Sequence, residues 1–201
     1  QLELLRRRGV HDLLLCVGYG AGRIRAHVGD GSAWGVRVRY SEEDPARLLG
    51  TGGALVHALP LLPPAFLLMY GDSYLPTDYR AVVRAFEKSA SPALMCVYLN
   101  RDAGDKSNVR IAGDRVVYYS NRAGPGEAEY IDYGLSAFRR EVIEPRAAAA
   151  PPLDLAVLFE DLVARGRLAA FPVRERFYEI GSAPGIADLE AHLRGEEKRP
   201  E

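Results

Sequence analysis

Residues 65–72 read Ala-Phe-Leu-Leu-Met-Tyr-Gly-Asp (AFLLMYGD), and their pattern decides the fold. Six apolar or aromatic residues in succession, preceded by Pro63 and Pro64 and followed by Gly71, suit a strand buried on both faces, since a half-buried strand would alternate with polar residues. This is the most apolar run in the chain and is expected to be a central strand. Asp72 then falls just past the strand's carboxyl end, where open α/β sheets bind ligands. Gly71 beside it, without a side chain, lets a phosphate or metal come close.

Outward from this stretch, strand and helix patterns alternate. Residues 1–8 look like part of an amphipathic helix, DLLLCV at 12–17 is a second fully apolar strand, and residues 20–28 follow as a helix. VRVRY at 36–40 alternates as a half-buried strand should, and a helix begins near Thr51 and stops at the prolines 60, 63 and 64. Beyond the central run come a helix over 78–88, a strand over 93–99 and a β-rich stretch over 108–138 punctuated by Gly113 and by Gly124-Pro125-Gly126. Asp154 is placed to cap a helix reaching about Arg165. Strands over 168–173 and 176–180, and a helix over 184–194 with Pro184 in its first turn, complete the pattern. Repeated βα units with a hairpin insertion predict one domain over residues 1–201: a Rossmann-like three-layer α/β/α sandwich with a mixed, mostly parallel sheet and a small antiparallel insertion.

Composition narrows the function classes. The 201 residues are 48% hydrophobic and 26% charged, enough for one continuous core. A formal charge of -1 with mixed signs argues against nucleic acid as partner. No apolar run reaches the ~18 residues needed to cross a bilayer, so neither a membrane nor export is expected and the cytoplasm is the expected location. Cys16 and Cys96 sit inside apolar runs without CxxC spacing and are expected to be core residues. The pattern leaves the oligomeric state open, a homo-oligomer included.

Several residues can carry chemistry. Asp72 is either a Mg²⁺ ligand, since Mg²⁺ takes one or two carboxylates and fills its other positions with water and phosphates, or a turn aspartate bonding its own backbone. Glu179, in Phe-Tyr-Glu-Ile-Gly-Ser over 177–182, stands at a second strand end before a helix, as a metal partner for Asp72 or as a solvated strand-end residue. Leu-Gly-Thr-Gly-Gly-Ala over 49–54 opens a helix; Gly52 and Gly53 either present backbone N–H groups to a base or phosphate, or simply form a helix turn. Asp132, Tyr133 and Gly134 form a polar-aromatic-glycine step in a strand, suited to a sugar stacking on Tyr133 and bonding to Asp132, or to a bulge at a sheet edge. Asn108 is a further polar candidate at a strand entrance, or a turn former. The four histidines are scattered and no serine or cysteine has a nucleophile's surroundings, so direct displacement organised by a metal is favoured over a covalent intermediate.

In order, LGTGGAL (49–55), LLMYGDSYL (67–75), YIDYGLSAF (130–138) and FYEIGSAPGIADLEAHL (177–193) resemble the sugar-1-phosphate nucleotidylyltransferases, especially the type related to heptose-1-phosphate guanylyltransferases and MurNAc-1-phosphate uridylyltransferases. The resemblance implies that Asp72 and Glu179 ligate a catalytic Mg²⁺, that Gly52, Gly53 and Gly71 lie against the nucleotide, and that Asn108, Asp132, Tyr133 and Gly134 border the sugar. It implies a reaction between a nucleoside triphosphate and a sugar 1-phosphate that yields an NDP-sugar and pyrophosphate. Other readings are a nucleotide-sugar-binding regulatory subunit and a glycosyltransferase of similar architecture. The family opens with a strand and a GGxGTRL loop followed by a lysine, so the resemblance also leads one to expect a domain cut short at its N-terminus. Glu179 stands where the family usually has aspartate, and Arg122 lies in the stretch where it has another lysine.

Overall fold

The most deeply buried strand is Ala93–Leu99 (β5 in chain order), and its alternation organises the molecule. Ala93, Met95 and Val97 point into one apolar cluster, with Leu55, Phe138, Leu155 and Phe159. Leu94 and Cys96 point into another, with Leu5, Tyr79, Val82, Phe86 and Leu135. A strand that is apolar at every position therefore feeds two cores, one under each face.

The protein is described by a computed structural model covering residues 1–103 and 105–195. In chain order the elements are α1 (Leu2–Arg7), β1 (Asp12–Val17), α2 (Ala21–Val28), β2 (Arg37–Glu42), α3 (Gly50–His57), β3 (Ala65–Met69), β4 (Ser73–Tyr74), α4 (Tyr79–Lys88), then β5, β6 (Val109–Ala112), β7 (Arg115–Tyr119), β8 (Tyr130–Arg139), α5 (Leu155–Ala164), β9 (Leu168–Val173), β10 (Tyr178–Glu179) and α6 (Ala183–Arg194). Six strands form one sheet in the order β3-β8-β5-β9-β7-β6, while β1 and β2 pair in parallel as a separate ribbon and β4 pairs with β10. Helices α3 and α5 cover one face through the Leu55 and Phe159 cluster, and α1 and α4 cover the other through Leu5, Val82 and Phe86. This is the expected mixed α/β class in three layers. Local signals set the helix starts: Asp78 accepts hydrogen bonds from the Arg80 and Ala81 N–H groups at the head of α4, and Asp154 accepts from Ala156 N at the head of α5.

Three expectations need correcting. Among the described residues the AFLLM strand β3 stands at an edge: it pairs there only with β8, and its residues are at most half-buried, whereas β8, β5 and β9 occupy the middle. The ladders are also mainly antiparallel, because β8 runs against both β3 and β5. Among the described residues only β1–β2 and β5–β9 are parallel pairs. Strands β3, β5 and β9 do share one direction, as the βα repeats demand, but β8 is laid between the first two. Finally, Cys16 is exposed although Cys96 is buried as expected. The edge of β1 away from β2 carries no strand among the described residues, which leaves this apolar segment partly open. Such an edge is normally covered or blunted, since unpaired backbone groups invite a further strand.

Candidate active site

The chain leaves β3 at Tyr70, turns through Gly71 and Asp72, and enters β4, whose two residues pair antiparallel with β10. In this ladder Ser73 faces Glu179, and Ile180 N donates to the Asp72 carbonyl at 2.8 Å. The ladder brings the two predicted carboxylates together from distant parts of the chain. A methyl group built on Gly181 would lie 3.0 Å from Glu179 Oε2 and 3.7 Å from Asp72 Oδ2, so both acids converge on this glycine. Asp72 is exposed, and among the described residues its carboxylate makes only a 3.5 Å contact with the Ser73 hydroxyl. Glu179 is held more firmly: Oε2 accepts from Gly181 N at 2.7 Å, Oε1 accepts from the Ser182 hydroxyl, and Ser182 Oγ in turn accepts from Gly185 N at the first turn of α6. A carboxylate at a helix N-terminus is favoured there by the backbone dipoles. Gly71 has open space where a Cβ would stand, with nothing within 4 Å, so the fold itself does not demand glycine.

A second group of polar residues adjoins the first through β8. Gly134 has φ +83°, and the β5–β8 register slips around it, so a bulge interrupts the ladder. A Cβ on Gly134 would stand 3.1 Å from Ser73 Oγ and 3.3 Å from the Tyr70 ring, which ties the bulge to the end of β3. Asp132 Oδ1 accepts from Gly134 N at 2.9 Å, and Asn108 Oδ1 accepts from Asp132 N at 2.9 Å. Asn108 thus positions the backbone under Asp132. Burial pushes the Asp132 carboxyl up to about 6, partly offset by hydrogen bonds from Gly134 N and the Tyr70 side chain. Burial, together with the negative fields of Asp132, Tyr119, Asp154 and Asp72, holds the Tyr70 hydroxyl well above its ordinary range.

The raised Asp132 carboxyl gives a signed pH dependence. The folded state holds its proton more tightly than the unfolded chain, so stability present below pH 3.8 is lost as pH rises towards 6 and then levels off. Denaturant melts of Asp132→Asn are expected to lack this decline; an unchanged profile between pH 4 and 6 would assign the decline to other groups.

Tyr133 requires correction. Side chains alternate along a strand, so the residue between Asp132 and Gly134 faces the other way. Tyr133 is 1% exposed and packs edge-on against Phe177 in the core beneath α4, which removes it from any stacking role. Its hydroxyl is buried without a hydrogen-bond partner among the described residues. Tyr133→Phe should therefore stabilise the protein by about 1 kcal/mol, the cost of an unsatisfied hydroxyl, and raise Tm by about 2–4 °C. A fall in Tm would mean that the hydroxyl has a partner.

The glycine loop is turned differently from expectation as well. Gly52 and Gly53 are buried, and their N–H groups both donate to the Leu153 carbonyl, at 2.9 and 3.1 Å, instead of pointing outward. Gly50, at φ +78°, lies where a Cβ would be 2.6 Å from the same carbonyl. Thr51 locks the contact: its hydroxyl donates to Asp154 and accepts from Leu155 N at 2.9 Å. The glycines are there so that the heads of α3 and α5 can touch. Arg122 lies exposed in the turn after β7. Tyr70, Ser182 and Gly181 were not singled out from the sequence. A tyrosine closing an apolar run is the one signal for the first, and the other two become visible only once β10 is placed against β4.

Comparison with known proteins fits this geometry. The sequence model of the nucleotidyl transferase family matches residues 1–109, which include the glycine loop and Asp72. N-acetylmuramate alpha-1-phosphate uridylyltransferase of Neisseria meningitidis serogroup B is 36% identical over 88 residues, 43% of this chain and 36% of that protein. Glucose-1-phosphate thymidylyltransferase of Streptomyces antibioticus is 33% identical over 93 residues, 46% of this chain and 26% of that protein. The matched part is thus little more than a third of these curated relatives, or less. In fold, the chain is similar to the crystal structure of HddC from Yersinia pseudotuberculosis, with a TM-score of 0.76 at 19% identity, over 96% of this chain and 83% of that one. The resemblance carried by the four motifs is therefore borne out, and the chain belongs to the nucleotidyl transferase family.

Proposed function

We propose that the protein transfers a nucleotidyl group from a nucleoside triphosphate to a sugar 1-phosphate, releasing pyrophosphate and forming an NDP-sugar. The observation that carries this reading, beyond family membership, is the convergence of Asp72 and Glu179 on Gly181 across the β4–β10 ladder. In the reaction an oxygen of the sugar phosphate forms a bond to the α-phosphorus in line, while the bond from that phosphorus to the β-phosphate oxygen breaks and the electron pair leaves with pyrophosphate.

Among the described residues no group of three acidic, histidine or cysteine side chains gathers to cage a metal. Two carboxylates on one side of an open surface fit Mg²⁺, which keeps positions for water and phosphates. Asp72 and Glu179 would hold the ion, and its chemistry there is to neutralise and align the phosphates. The bonds from Gly181 N and Ser182 fix the direction of the Glu179 carboxylate. The open space at Gly71 admits a phosphate. Asp132 and the Gly134 backbone receive sugar hydroxyls, with Asn108 setting the backbone beneath them. With the Gly52 and Gly53 N–H groups committed to Leu153, the glycine loop borders the nucleotide through its exposed rim at Thr51. We place this chemistry in the cytoplasm, where nucleoside triphosphates are made, and assign it to one domain over residues 1–201.

The test is pyrophosphate release by the full-length protein from each nucleoside triphosphate, against a panel of sugar 1-phosphates with Mg²⁺. Turnover that depends on both substrates supports the proposal. NDP-sugar binding without turnover in any combination would replace it with a binding or regulatory role, and sugar transfer from an NDP-sugar without pyrophosphate chemistry would make the protein a glycosyltransferase.

A further inference from the structure

At the end of the sheet opposite Asp72, strand register lines up three arginines. Phe138 of β8 and Leu168 of β9 both stand beside Ala93 of β5, so the next residues outward, Arg139 and Arg167, bracket Pro92. Arg139 N donates to the Pro92 carbonyl at 2.8 Å. One strand further, Arg115 pairs with Ala169 and donates from Nη1 to the Gly166 carbonyl at 3.2 Å. With strands ~4.8 Å apart, the backbones of Arg139 and Arg167 are separated by about 10 Å, within reach of two guanidinium groups converging on one ligand. The three side chains line a surface cleft of about 210 Å³ together with Ser91, Glu141 and Gly166.

Charge is unbalanced in this cleft. Glu141 is its only acidic lining residue, and none of the three arginines takes part in an ion pair among the described residues. Elsewhere arginines do find acids, as Arg146 and Arg165 do with Asp161. Arg139 is steered instead by the Phe86 ring, 5.5 Å from its guanidinium carbon. The cleft holds roughly seven water volumes, room for a diphosphate group. Arginine forks match phosphate oxygens bidentately, and three from separate strands supply more donors than a monophosphate needs.

We propose that this cleft is a binding site for the diphosphate group, remote from the candidate active site. Ala65, the partner of Arg139, begins β3, whose five residues span about 13 Å at strand rise, and Asp72 lies in the turn beyond their far end. The site stands on its own register and charge and does not require the chain to be a transferase. Its ligand is either free pyrophosphate or the diphosphate of a nucleotide whose nucleoside stays outside the cleft.

Calorimetric titration of the full-length protein without divalent cations, at fixed ionic strength, tests this with sodium pyrophosphate, inorganic phosphate, a nucleoside diphosphate and sulfate. Saturable one-site binding of pyrophosphate is expected, weakened about tenfold by Arg167→Gln or Arg115→Gln, the loss of one charge-assisted contact, and retained in Asp72→Asn. Glu141→Gln should tighten it, which keeps the test decisive if an arginine variant folds poorly in a thermal melt. Tighter binding of the nucleoside diphosphate, lost in the same arginine variants, would support a nucleotide source, and equal binding would support free pyrophosphate. No saturable binding at millimolar pyrophosphate, equal binding of sulfate, indifference to the arginine and Glu141 variants, or loss only in Asp72→Asn would each overturn the proposal.

Discussion

Asp72→Asn is expected to reduce pyrophosphate release by about 10²–10³-fold, the usual cost of removing one group that stabilises transition-state charge, while Tm stays unchanged. The two halves of this result have separate causes. The Asp72 side chain is exposed and, among the described residues, hydrogen-bonds only with the Ser73 hydroxyl, at 3.5 Å, so its charge holds no part of the described fold. The hydrogen bond that does hold this turn, from Ile180 N to the Asp72 carbonyl, belongs to the backbone and survives the substitution. Glu179→Gln should behave differently. Its carboxylate accepts from Gly181 N and Ser182 at the start of α6, so both turnover and stability should fall. Equal turnover in wild type and Asp72→Asn would remove Asp72 from the reaction.

Gly50→Ala should be strongly destabilising in a thermal melt, with a loss of about 2–4 kcal/mol. Two penalties combine there. Residue 50 has φ +78°, which costs an alanine about 1 kcal/mol or more. Its Cβ would also stand 2.6 Å from the Leu153 carbonyl, and relieving such overpacking costs about 1–3 kcal/mol. For a chain of this size the fall in Tm would be about 4–16 °C. Gly71→Ala is the control: a Cβ there meets nothing within 4 Å, so stability should hold while turnover drops if a phosphate occupies that space. A Gly50→Ala melt indistinguishable from wild type would show that the α3–α5 junction is not held by the Leu153 carbonyl.

The candidate site was legible in part because two of its components are local. Asp72 follows an apolar run and a glycine, and Glu179 precedes a glycine and a helix start, so both positions at strand ends can be read from short windows. Their meeting could not be read that way, since it depends on a ladder of only two residues per strand, β4 with β10, too short to leave a periodic signal. Tyr133 was misplaced because Asp132 and Gly134 drew attention to their shared neighbourhood, while strand alternation sends the residue between them to the other face. The glycine loop takes the helix-turn alternative for a related reason. A run of glycines announces a close approach of something to the backbone, but not whether that is a ligand or, as at Gly52 and Gly53, the chain's own Leu153.

Propensity, periodicity and capping act over a few residues, and local sequence suffices for what they control: the succession of βα units, the Asp78 and Asp154 helix caps and the strand-end position of Asp72. The order of strands among the described residues came from long-range pairing instead, with β3 beside β8 alone, β8 inserted antiparallel beside β5, and Arg115, Arg139 and Arg167 aligned at the far end. An apolar run such as AFLLM is compatible with either a central or an edge place. Which place it takes depends on the partners that pairing and the two cores select, and those partners lie far away in the chain.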